Sequence, residues 1–144
     1  MAVERDGARL AEQYIRDRMD LQKVRELAVR EYGWDEETGG RAERAYRDFL
    51  WVCWNFGRNG DRMAWISLLA DRMWHCHMLA PAAYLAATEA IFGRGYILDH
   101  TPAMPNGQRV CDGDRATAVA HYVELGLVPP SDLRDECTWA IVRF

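Results

Sequence analysis

The feature that most constrains this chain is a proline set inside a helical pattern. Pro81 stands between two apolar runs, residues 63–79 and 82–91, each repeating at three and four residues. A proline has no N–H to give a helix interior, and its ring pushes the preceding residue out of helical geometry. Ala80 must therefore leave the first helix. Pro81 suits the opening position of the next, which runs through Tyr84, Ala87, Thr88 and Ile91 to Gly93. The helix before the proline starts near Asp61 or Arg62, with Met63, Ile66, Ala70, Met73, Trp74 and His77 on one side and Leu68 and Leu69 on another. It is apolar nearly all round, the mark of a buried central helix.

The flanking chain reads as further helices. Residues 2–9 are polar and are expected to fray. Leu10, Tyr14 and Ile15 form one short apolar stripe; Leu21, Val24, Leu27, Ala28 and Tyr32 form a second. Asp20 could cap a separate helix there, so the region is one bent helix or two. Gly33 is the expected stop, and residues 35–40 (DEETGG) read as a surface turn. Ala42, Ala45, Tyr46, Phe49, Leu50 and Cys53 then give the clearest amphipathic helix, with Trp51, Trp54 and Phe56 as added core bulk and Gly57 with Asn59-Gly60 ending it.

Beyond Gly93, residues 96–98 read as a short extended piece ending at His100. Pro102, Pro105, Asn106 and Gly107 read as a loop. Asp112 or Asp114 is the expected cap of a fifth helix carrying Ala116, Val119, His121, Tyr122 and Val123 and closed by Gly126. Pro129-Pro130 break the chain, Ser131 or Asp132 starts a last helical turn, and residues 138–144 (TWAIVRF) fit helix or strand. The expected fold is all-α: one compact domain over residues 1–144, with about five helices and a functional site at the end of the central one.

Bulk properties narrow the function. A net charge of -4 argues against a nucleic-acid partner, which would need a basic face to displace counterions. The four cysteines (Cys53, Cys76, Cys111, Cys137) form no CxxC pair, so zinc-finger and thioredoxin readings fail and the cysteines read as small core residues. No charged-then-apolar leader and no bilayer-length apolar run is evident. A reduced, cytoplasmic protein without membrane attachment is the expectation.

Three of the four histidines cluster around Pro81. Asp71 and His75 are four residues apart on one helix, so their side chains share a face. His77 lies about 200° round an ideal helix from His75, and joins that face only if the break at Pro81 bends it back. His100 arrives from a separate segment. One carboxylate and up to three imidazoles suit zinc, iron, copper or nickel. Two histidines with one carboxylate would match ferrous oxygen chemistry, and three ligands with a water hydrolytic zinc. Without an ion, His75 would simply hydrogen-bond Asp71. His121 reads as a partly buried helix residue.

The stretch DRMWHCHMLAPAAYLAATEAIFGRGYILDH resembles the signature of the glycine-rich domain-containing protein-like family: an aspartate, WHxHM, a proline, a tyrosine, a glycine and a closing histidine. Here these are Asp71, Trp74, His75, His77, Met78, Pro81, Tyr84, Gly93 and His100. The upstream AYRDFLWV helix and the segment from Pro129-Pro130 to Trp139 extend the resemblance over about residues 42–139. Ala80 departs from it, since an acidic residue often precedes the proline. The resemblance implies an all-helical fold and a shared Asp/His site, and implies no reaction. The glycine-rich and RNA-binding segments of some relatives have no counterpart here.

These readings converge on a small metal-dependent enzyme acting on a small molecule or peptide. Asp71, His75, His77 and His100 are the candidate ligands of an iron, copper or zinc ion, three of them ligating if the fourth supports. Tyr84 and Cys76 are candidates for proton transfer or substrate contact. The alternatives are an interaction module with a structural histidine cluster, and nucleophilic chemistry at Cys76 with a neighbouring histidine as base.

Overall fold

The computed structural model describes residues 2–58, 63–101 and 115–143. Its first half contains α1 (Ala2–Gln13), a π-helical turn (Tyr14–Arg18), α2 (Gln22–Tyr32) and α3 (Glu36–Phe56). There follow β1 (Met63–Ser67), α4 (Leu68–Met78), α5 (Pro81–Phe92), β2 (Ile97–Thr101), α6 (Arg115–Glu124) and β3 (Leu133–Arg143). The domain is mostly helical, as expected, with one addition: a small antiparallel sheet in the order β1-β3-β2.

Pro81 sets the corner its chemistry requires. Ala80 adopts φ -110° and ψ 78°, and Pro81 opens α5. The break comes late, however. Helix α4 stays regular through Met78, and Leu79 is still in the right-handed region. The helix therefore does not loosen around His77.

The N-terminal region resolves into two helices rather than one bent one. Met19 donates to the Tyr14 carbonyl at 2.8 Å, closing a wide turn. The Arg47 guanidinium of α3 donates to the carbonyls of Ile15 and of Met19, fixing the turn against the core. Asp20 accepts from Gln22 N–H at the start of α2, and Gly33, at φ 66°, ends it. Leu10 is exposed; Ala11 and Ile15 carry that stripe into the core instead.

Residues 35–40 form the start of α3 in place of a surface turn. Asp35 caps it, accepting the Thr38 N–H at 2.7 Å. Gly39 then lies so close to α2 that a Cβ there would meet Val29 Cγ2 at 2.9 Å. Of the predicted face of α3, Ala42, Tyr46, Phe49, Leu50 and Cys53 are buried and Ala45 is partly buried against the core. It packs against α4, which also meets α2.

Residues 63–67, expected in the central helix, form a strand. Trp65 pairs with Asp135, Ile66 with Arg134 and Ser67 with Leu133, after an irregularity between Met63 and Trp65. Ser67 then caps α4 through the Ala70 N–H, and donates its own hydroxyl to Asp132 Oδ2 at 3.0 Å. The same carboxylate oxygen accepts from Leu69 N–H at 3.1 Å. Asp132 thus serves the start of another helix instead of opening one, and the terminal segment is strand. Strand β2 matches the expected extended piece and pairs with β3 from Ile97↔Arg143 to Thr101↔Trp139. Gly126, at φ 74°, follows α6. The expected start at Asp61 or Arg62, the Asn59-Gly60 stop, the loop over Pro102–Gly107 and the caps at Asp112 or Asp114 lie outside the described residues.

One apolar core runs through Ile15, Ala28, Phe49, Met73, Trp74 and Leu98, and a smaller one joins Val52, Tyr122 and Leu133. Cys53 and Cys76 are both buried and free, as small core residues should be. Among the described residues, no helix is long and apolar enough to cross a membrane.

Candidate metal centre

Helix α4 carries two different faces. Ala70, Met73, Trp74, Cys76 and His77 are buried on one side, while Asp71, also buried, and the more exposed His75, one turn apart, share the edge nearest β2. Alternate residues of a strand face one side. His100 therefore shares the face of buried Leu98 and is carried to α4 by the same packing. Trp74 lies against it, with ring centroids 4.3 Å apart.

Three side chains meet there. His100 Nε2 is 3.1 Å from Asp71 Oδ1 and 3.2 Å from His75 Nε2, and His75 Nδ1 is 3.7 Å from Asp71 Oδ2. The side chains of Asp71 and His100 are 12% and 10% exposed, that of His75 46%. The cluster is walled by protein on the Asp71–His100 side and reachable from solvent at His75.

Asp71, His75 and His100 form a group that could hold a metal ion. Donors about 2.0–2.2 Å from a cation lie about 2.8–3.6 Å apart in tetrahedral or octahedral coordination. The two short separations here, 3.1 and 3.2 Å, fall within that window. Protons serve this arrangement less well. A hydrogen on His100 Nε2 can point at Asp71 Oδ1 or at His75 Nε2, and one of the two contacts is then left without a good hydrogen bond. A cation would draw on all three donors, whose atoms lie within 4.8 Å of one another. The residues fit the ion.

His77 is placed elsewhere. Because α4 stays regular, its ring remains on the far side, where Nδ1 hydrogen-bonds the Tyr46 hydroxyl at 2.7 Å. It also meets Tyr84 edge-on, with centroids 5.2 Å apart. Burial holds its imidazole down at about 4, so it is neutral at pH 7. The structure thus brings three of the four predicted ligands together and sets His77 into the core.

Tyr84 and Cys76 also lie outside the group. The Tyr84 hydroxyl accepts from Trp74 Nε1 at 2.8 Å and donates to the Leu98 carbonyl, and burial pushes its pKa well up. The Cys76 thiol is buried; burial raises its pKa against a smaller lowering by Tyr32, which disfavours the thiolate a nucleophile needs. His121 is half-buried and stacked on Phe56 at 4.0 Å. The contacts of Tyr46 and Asp132 with α4 had no signal in the sequence, since each reaches it from far along the chain.

The fold and the site define a mostly helical domain with a candidate two-histidine, one-carboxylate centre. No family model matches the chain, and no curated protein and no solved structure is significantly similar to it.

Proposed function

We propose that this chain is a metal-dependent enzyme whose ion is held by Asp71, His75 and His100. The observation that carries the reading is the convergence of three donor atoms from a helix and a strand at coordination spacing. Two imidazoles and a carboxylate suit iron, copper or zinc. Such an ion supplies Lewis-acid polarisation, an activated water or oxygen chemistry. Asp71 and His100 anchor the centre from the buried side. The exposure of His75 leaves it within reach of a small molecule or peptide. The resemblance to the glycine-rich domain-containing protein-like family, kept as a proposal of kinship, supports the same residues as a set.

A second reading, an interaction module with a structural histidine cluster, draws on the apolar side chains that Leu79 and Leu85 leave exposed beside α5. Elemental analysis of protein purified without a histidine tag separates the two. The enzyme reading expects about one ion per chain, lost in His75→Ala and in His100→Ala and kept in His77→Gln. Metal-free wild-type protein that takes up no added zinc, iron or copper would leave only the module.

A further inference from the structure

The three donors sit on two elements that no chain neighbour joins, so something must hold α4 at a set distance from β2. The sheet joins them at a distance, since β2 pairs with β3, β3 pairs with β1, and β1 leads directly into the first turn of α4. Trp74 lies between the two elements, packed against His100 on one side and Phe49 on the other. Ring packing alone leaves an indole free to slide in its own plane. What removes that freedom is its N–H, which donates to the Tyr84 hydroxyl at 2.8 Å, while the same hydroxyl donates to the backbone carbonyl of Leu98. Leu98 is two residues from His100 on the same strand. One oxygen atom therefore ties the helix that carries Asp71 and His75 to the strand that carries His100.

We propose that Tyr84 is a positioning residue for the metal centre, acting through Trp74 and the Leu98 carbonyl to hold His100 opposite His75. This rests on the metal reading above. Tyr84 touches none of the three donors, and its buried, doubly bonded hydroxyl has no reach to a substrate. Its place is that of the supporting groups whose removal weakens a metal site about ten- to a hundred-fold while every ligand stays in the chain.

Tyr84→Phe tests this, because it removes one oxygen and keeps the ring. The control is Tyr46→Phe, which deletes another buried hydroxyl, the one bonded to His77, which is none of the three donors. Each protein is titrated with cobalt(II) chloride and followed by visible absorption, and its melting point is measured without metal. The expected result is a cobalt dissociation constant raised at least about tenfold in Tyr84→Phe and less than about twofold in Tyr46→Phe, although both variants melt lower. A merely structural role would weaken both alike, or neither.

Unchanged cobalt affinity in folded Tyr84→Phe overturns the positioning role and leaves the metal reading intact. Wild-type protein that binds no cobalt overturns both. If Tyr84→Phe does not fold, Trp74→Phe takes its place, since it removes the indole N–H and keeps an aromatic ring at His100; unchanged affinity there overturns the proposal equally.

Discussion

Two histidines separated by one residue have opposite fates, and the helix between them is the reason. About 200° of rotation sends one ring outward and the other inward. His75 meets Asp71 and His100, and His77 meets Tyr46 in the core. His121 shows a third outcome. Its ring stacks on Phe56 and its Nδ1 is buried without a partner among the described residues. Burial lowers its pKa below 6.5 against a smaller opposing pull from Glu124. As pH falls below about 6.5 the unfolded chain takes the proton first, so this stabilising contribution is lost with acid. Urea unfolding at pH 7 and pH 5 should show a smaller acid loss in His121→Phe than in wild type; equal losses would refute the assignment.

Between elements, small residues and caps decide how close the helices come. Gly39 lets α3 approach α2, where a Cβ would press Val29 at 2.9 Å and Arg25 Nε at 3.3 Å. Alanine in a helix interior gains about 1 kcal/mol over glycine. Forcing a methyl group into packed surroundings costs about 1–3 kcal/mol. The crowding should win because Val29 is branched and held on a helix of its own. Gly39→Ala is therefore expected to lower stability by up to about 2 kcal/mol in urea unfolding, whereas a gain would show that α2 yields easily. Asp132 works at the same scale: its carboxylate and backbone carbonyl secure the first turn of α4 from the start of β3.

For the molecule as a whole, a centre that draws on α4 and β2 exists only when the sheet and the helices are docked. An ion bound there stabilises the folded chain alone. At a free concentration a hundredfold above its dissociation constant it should add about 2.7 kcal/mol, roughly 8 °C for a domain of this size. Differential scanning fluorimetry with added zinc should show that rise in wild type and lose it in His100→Ala. An identical rise in both would place the ion elsewhere.

What the chain shows by itself is what lies within one helical turn of itself. The corner at Pro81, the ends at Gly33 and Gly93, the apolar face of α3 and the Asp71–His75 pair all follow from local geometry, so spacing alone exposes them. Residues 63–67 fit a helical stripe as well as a strand, and only pairing with β3 settles which they become. The same holds for the side His77 takes, for Asp132 capping a helix 63 residues away, and for the approach of His100 to His75. Those contacts join faces of separate elements. Spacing states that a face is apolar or polar, and packing alone selects the face it meets.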